Sequence, residues 1–136
     1  MRMLHLGLRV TDLERSLIFY TALGYAELGR LPDTPFGSLT MLALPDDPFV
    51  SLELVYDPAR PVTSTEAVNH LVVQTDDLDA TITDLAARGV PAEPPAEPAP
   101  GLRTSWLTDP DGYRIELVQW PPGHPDGLSA IDWPDG

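Results

Sequence analysis

The chain contains no cysteine and no lysine. Without cysteine there is no disulfide framework, no thiolate nucleophile and no sulfur ligand, so any metal must be held by histidine and carboxylates. The eight basic residues, all arginine, face 21 acidic ones, and the resulting charge of -13 repels phosphate backbones and anionic lipid surfaces. Nucleic acid and membranes are therefore excluded as expected partners. Long apolar runs are also missing. The opening "MRMLHLGLRV" has no apolar run long enough for a signal peptide, and nothing later approaches a membrane span. The expectation is a soluble, cytoplasmic protein with a small-molecule substrate.

What is present is a repeat. "HLGLRVTDLERSLIFYTALGY" begins at His5, and "HLVVQTDDLDATITDLAARGV" begins at His70. In the first copy Leu4, Leu6, Leu8 and Val10 alternate with His5, Gly7 and Arg9, the period of a half-buried strand with one core face and one face bearing His5 and Arg9. Asp12 stands at an N-cap position, Leu13, Leu17 and Tyr20 recur at helical spacing, and Gly24 stops the helix. The second copy predicts a strand over 70–75, a cap from Asp76 and Asp77, a helix face of Leu78, Ile82 and Leu85, and a stop at Gly89.

The duplication continues downstream. "LALPDDPFVSLELV" (42–55) aligns without gaps on "SWLTDPDGYRIELV" (105–118), pairing Leu44 with Leu107, Asp46 with Asp109 and Glu53 with Glu116. Each reads as two strands joined by an Asp/Pro turn, with strong turn chemistry in Asp109-Pro110-Asp111-Gly112. The offset is 65 at the histidines and 63 at the glutamates, which points to a length change in the loop between helix and hairpin. One domain over 1–120 is expected, with module one at 1–56, a polar linker at 57–67 and module two at 68–120. "PAEPPAEPAP" (91–100) reads as a semi-rigid surface excursion, too proline-rich for a helix or central strand. The tail 121–136 has no periodicity; Ile131 and Trp133 are expected to pack on the body or a partner chain, and His124 to lie at the surface.

Residues at equivalent places in a duplicated fold are related by a pseudo-two-fold axis and can converge. The polar residues recurring on otherwise apolar strands are His5 with His70 and Glu53 with Glu116. Singly, a strand histidine is usually a satisfied polar group and a strand glutamate usually faces solvent. A purely structural role gives no reason for both pairs to recur in register. Two imidazoles and two carboxylates suit one divalent ion such as Ni, Co, Zn, Mn or Fe, and leave open positions if it is octahedral.

At these residues the chain resembles the vicinal oxygen chelate superfamily, and within it small bacterial glyoxalase I enzymes. "LHLGLRVTDLERSLIFY", "SLELVYD", "NHLVVQTDDLD" and "DPDGYRIELV" carry the likeness, over residues 4–118. The resemblance implies an α+β fold of two tandem βαβββ modules forming an eight-stranded cup around a metal, with ligands at His5, Glu53, His70 and Glu116. Extradiol dioxygenases and fosfomycin-resistance enzymes lack a ligand where Glu53 stands, methylmalonyl-CoA epimerases typically carry glutamine there, and bleomycin-sequestering relatives generally lack the metal set. Glu53 thus favours glyoxalase chemistry over an epimerase, an extradiol-type oxygenase or a non-catalytic binding protein, which are the alternatives.

That chemistry converts the hemithioacetal of an α-oxoaldehyde and a thiol into a 2-hydroxyacyl thioester, and its hard step is removing a carbon-bound proton next to a carbonyl. The resemblance implies a Lewis-acid metal, with Glu116 as the proton-moving base and Glu53 as its counterpart. Arg9 matches an arginine that contacts the thiol cofactor's carboxylate. Two departures weigh against glutathione as that thiol. Asp57 stands where an asparagine usually holds glutathione, and its carboxylate would repel an anionic peptide. "STEAVNH" also replaces the usual stretch before the second histidine. Arg103 is a candidate for substitute charge. Relatives with an exposed seam pair as homodimers, each metal site drawing one half from each chain, so a symmetric dimer is expected.

Overall fold

The order strand, helix, meander expected of each half is the order found in the computed structural model, which describes residues 1–133; the last three residues of the tail lie outside them. The fold is α+β, and its eight strands divide four and four into two mixed sheets. Two units result, one of residues 1–69 with 109–113 and the other of 70–108 with the chain from 114 onward. Among the described residues no helix is long and apolar enough to cross a membrane.

In the first unit, β1 (Leu6–Arg9) is followed by α1 (Leu13–Leu23), β2 (Ala26–Thr34), β3 (Gly37–Ala43) and β4 (Leu52–Tyr56). The sheet order is β1-β4-β3-β2, with β1 parallel to β4 and the other pairs antiparallel. Leu8 and Val10 are buried as the alternation requires, whereas Leu4 is 55 % exposed. It precedes the first ladder residue, so no neighbouring strand covers it. Asp12 caps α1 by accepting the Arg15 N–H at 3.1 Å, and Gly24 ends it in the left-handed region at φ +116°. The buried stripe of α1 is Ser16, Phe19 and Tyr20, with Leu13 and Leu17 as half-buried flanks. The stripe is rotated from the expected one because Tyr20 points straight into the core, edge-on to Phe19 and Tyr25 at 5.0 and 5.8 Å. A Cβ on Gly37 (φ +100°) would lie 2.3 Å from the Tyr56 carbonyl oxygen, so only glycine fits where β3 begins.

The second unit repeats this plan with β5 (Leu71–Gln74), α2 (Leu78–Ala87), β6 (Ala96–Ala99), β7 (Leu102–Thr108) and β8 (Arg114–Gln119), in sheet order β5-β8-β7-β6. Of the two candidate caps Asp77 acts, accepting the Ala80 N–H at 3.0 Å. Leu78 and Leu85 are buried, and Gly89 follows the helix at φ +80°. The stretch 91–100 is more ordered than expected: its last part forms edge strand β6, paired only with β7. An edge strand needs ladder bonds on one side only, which is the place a sheet tolerates Pro98.

The registers relocate the length change between the halves. Met41 faces Glu53 and Trp106 faces Glu116, so β3 and β7 are related by 65, as are the preceding elements. Nine residues separate Leu42 from its partner Leu52, but seven separate Leu107 from Ile115. The difference therefore lies inside the hairpin, not between helix and hairpin, and Met41 rather than Ala43 is the counterpart of Trp106. The shorter turn is stitched by Asp109, whose Oδ1 accepts the N–H groups of Asp111 and Tyr113 at 2.9 and 2.8 Å. Its Oδ2 accepts the Tyr20 hydroxyl at 2.8 Å, Tyr113 donates to the Arg9 carbonyl at 2.9 Å, and Asp111 accepts the Thr11 N–H at 3.1 Å. These bonds are why the 109–113 turn belongs with the first unit.

Candidate metal-binding and substrate site

Alternation along the strands sorts each sheet into a helix-covered face and a second face. In the first unit Leu8, Thr40, Leu42, Leu52 and Leu54 are buried on the helix side, and His5, Gly7 and Arg9 on one edge with Met41 and Glu53 beside them take the other. Glu53 is opposite Gly7, and its Oε2 lies 3.2 Å from His5 Nε2. In the second unit Glu116 is opposite Val72, and its Oε2 lies 3.5 Å from His70 Nε2. Each predicted histidine thus meets its predicted glutamate, at the same place in both sheets. The imidazoles keep about a third of their side-chain surface exposed, 35 % for His5 and 33 % for His70, while Glu53 and Glu116 keep 14 % and 22 %.

Two donors bound at right angles to one ion, each about 2.0–2.2 Å from it, are about 3 Å apart. Both Nε2 to Oε2 separations are close to that value, and neutral imidazole with carboxylate is a donor set for a borderline divalent ion. The residues therefore fit a metal two by two. Among the described residues no group of three or more His, Asp or Glu is gathered around one point, and each pair is described within its own unit.

Arg9 shares a face with His5, and its Nη1 is buried with no hydrogen-bond partner among the described residues. An orphaned guanidinium N–H on the face that carries His5 and Glu53 is a hydrogen-bond donor without an acceptor, suited to an anionic group. Asp57 follows β4, accepts the Ala59 N–H at 2.9 Å and lies 3.4 Å from the Arg60 guanidinium. Arg103 is not brought to the His70 face. It lies opposite Gln119 on the helix side of β7 and forms a two-pronged pair with Asp79 of α2, at 3.0 and 2.9 Å. The pair holds the Asp79 carboxyl below the usual carboxylate range, chiefly through the hydrogen bond from Arg103.

Sequence reasoning missed Trp106. Directly opposite Glu116, it meets the His70 ring edge-on at 5.2 Å, and the Arg114 guanidinium sits 5.2 Å from its centroid. The signal was available in the Asp109-Gly112 turn, which fixes the hairpin register and thereby puts residue 106 on the face of Glu116. A separate polar cavity of about 430 Å³, lined by Thr11, Arg15, Thr63, Glu66 and Asp111 among others, includes none of the predicted site residues. The imidazole–carboxylate donor pairs lie on the His–Glu faces and not in this cavity.

The family model for the Glyoxalase/Bleomycin resistance protein/Dioxygenase superfamily matches residues 2–117. The chain belongs to that superfamily. It is similar, with 32 % identity over 125 residues, to a probable lactoylglutathione lyase of Vibrio parahaemolyticus, covering 87 % of this chain and 90 % of that protein. Among solved structures, the trypanothione-dependent glyoxalase I of Leishmania major is 33 % identical with a TM-score of 0.70, covering 88 % of this chain and 86 % of that one. A glyoxylase/bleomycin resistance protein/dioxygenase domain from Frankia superposes with a TM-score of 0.76 at 24 % identity, over 91 % of this chain and 95 % of that domain. This last likeness is one of fold, and it matches the glyoxalase/dioxygenase arrangement of two βαβββ modules to the present chain.

Proposed function

We propose that this superfamily member is a metal-dependent isomerase of glyoxalase I type, converting the hemithioacetal of an α-oxoaldehyde and a low-molecular-weight thiol into a 2-hydroxyacyl thioester. The observation that carries the reading is the His–Glu pair formed twice, at 3.2 and 3.5 Å, in register positions that the repeat makes equivalent. A divalent ion bound by His5, Glu53, His70 and Glu116 would supply Lewis acidity to two vicinal oxygens of the substrate. Since each module offers two donors, the second pair comes from the other module, of the same chain or of a partner in a homodimer.

Glu116 is the base. Its carboxylate lies beside an imidazole on an open face, where it can take the carbon-bound proton and return it to the neighbouring carbon. Glu53 is its counterpart. Arg9 receives an anionic group of the thiol, and its orphaned Nη1 is the donor for it. Glutathione is the disfavoured thiol in this reading: Asp57 stands where an asparagine usually holds it, although the Asp57 carboxylate is itself paired with Arg60, and Arg103 is occupied by Asp79.

The test combines metal content with turnover of methylglyoxal adducts of several thiols. Glu116→Gln should retain the ion while isomerisation falls by a factor of order 10² to 10⁴, the usual worth of a general base. Full metal with undiminished turnover in this variant would sink the assignment of the base. Absence of bound divalent ion in the wild-type protein would sink the whole reading.

A further inference from the structure

Position 74 is the counterpart of position 9 at the offset of 65, and the two corners differ in charge. The first offers the orphaned guanidinium of Arg9. At the second, Gln74 is occupied by the C-terminal segment: its Oε1 accepts Trp120 Nε1–H at 2.9 Å and the Gly127 N–H at 3.2 Å, and its Nε2–H donates to Asp126 Oδ1 at 2.7 Å. Trp120 continues the alternation of Glu116 and Val118, as Gln74 continues that of His70 and Val72. The segment therefore returns over the face that carries the second His–Glu pair. On this face Val118 and Thr104, cross-strand neighbours at the Gln74 end, are 4 % and 6 % exposed, while Val72, nearer His70, is 54 % exposed.

The segment is braced internally. His124 stacks on Trp120 at 4.8 Å and pairs through Nε2 with Asp132 at 2.5 Å, and Asp132 accepts the Ser129 N–H at 2.7 Å. Between Trp120 and Trp133 it carries two aspartates and no arginine.

We propose that residues 120–133 form a specificity wall, with Gln74 as its positioning residue, that closes the Gln74 end of the second module's face and sets the Asp126 carboxylate there. An anionic group is then refused at the Gln74 corner of the second module's face, so the preferred substrates are adducts of thiols that bring no second anionic group there. The inference rests on the reading of the His–Glu faces as the substrate site, but not on turnover.

Its test is nuclear magnetic resonance titration of the full chain with two inert S-methyl thioethers, of 3-mercaptopropionate with one carboxylate and of mercaptosuccinate with two. The wild type should bind the first about tenfold more tightly. Asp126→Asn, at an exposed position, and Gln74→Ala should each bring the ratio towards one, and Gln74→Ala should also speed hydrogen exchange across 120–133. A purely structural role for the segment would alter exchange and leave the ratio alone. A wild-type ratio near one, a ratio unmoved by both substitutions, or no binding of either thioether at millimolar concentration overturns the proposal. Because the thioethers do not react, a preference of this kind in a chain without isomerase activity would uphold the wall while refuting the proposed reaction.

Discussion

Tyr20→Phe isolates the bond that ties the 109–113 turn to α1. Tyr20 is fully buried, and its hydroxyl donates at 2.8 Å to Oδ2 of Asp109, a residue 4 % exposed. Phenylalanine keeps the ring outline and its edge contacts, so the loss is confined to one donor. Oδ2 is then left in the interior without it, and a hydrogen bond to a charged group is worth about 1.5–3 kcal/mol. We expect a cost of about 2–3 kcal/mol near neutral pH, a large part of the roughly 5–15 kcal/mol typical of a domain. The loss should depend on pH. Burial pushes the Asp109 carboxyl above the usual range, while the bond from Tyr20 pulls it down. A raised carboxyl stabilises the fold at low pH and loses that contribution as pH rises through its folded value. Removing Tyr20's hydroxyl raises it further, so the variant's deficit should be least in acid and grow as Asp109 ionises. Urea unfolding at several pH values measures this, and a double-mutant cycle with Asp109→Asn isolates it, the cost of Tyr20→Phe falling to about 1 kcal/mol or less beside a neutral amide. A loss under about 0.5 kcal/mol at neutral pH, or an equal loss in both backgrounds, would refute the reasoning.

Thr40 Oγ1 is buried with no hydrogen-bond partner among the described residues, so Thr40→Val should stabilise the fold by about 1 kcal/mol; a lower melting temperature would contradict this. The His124–Asp132 pair should hold the tail best between about pH 4 and about pH 6.5. The His124 pKa is raised, chiefly by its hydrogen bond to Asp132, so its contribution is full below the ordinary histidine value and lost as pH rises through the folded one. Asp132 is lowered, chiefly by the Ser129 N–H, and its contribution is lost as pH falls through its folded value. Acrylamide quenching of Trp120, with Trp106 and Trp133 replaced by phenylalanine, should be weakest in that window, and a flat profile would exclude the pair as a latch.

Much of the fold was legible because its signals are local. Asp12 and Gly24 bracket α1, Asp77 and Gly89 bracket α2, and strand alternation put each glutamate on the face of its histidine. The hairpin length change was misplaced because residue types matched where hydrogen-bond register did not. In the longer loop Asp47, not Asp46, is the organiser, its Oδ2 accepting the Leu44 N–H at 2.9 Å and the Ser51 hydroxyl. Charge alone recommends Arg103 in the sequence, and the ladder shows that it lies across the sheet from Trp106's face. In the tail Ile131 and Trp133 remain 74 % and 61 % exposed, so of the two expected packings the one on this chain's body is not the one found, while the residues that anchor the segment, Trp120, Asp126 and Gly127, reach a strand 46 to 53 positions earlier. No periodicity can signal a contact of that span.

The two copies have diverged unevenly, and the pattern itself is an argument about function. On the helix side both sheets keep small to medium apolar residues, Leu52 and Leu54 answering Ile115 and Leu117, as a shared packing geometry demands. On the other face the histidines and glutamates are identical, whereas their neighbours are not: Gly7 answers Val72, Met41 answers Trp106, and Arg9 answers Gln74. On the proposed reading, an ion with two donors from each module would ask the same of both copies, which accounts for those four identical positions. A substrate without two-fold symmetry asks different things of its two ends, and so drives the surrounding positions apart. On the proposed reading the identical residues mark the metal, and the mismatched ones, Arg9 and Gln74 foremost, mark the substrate.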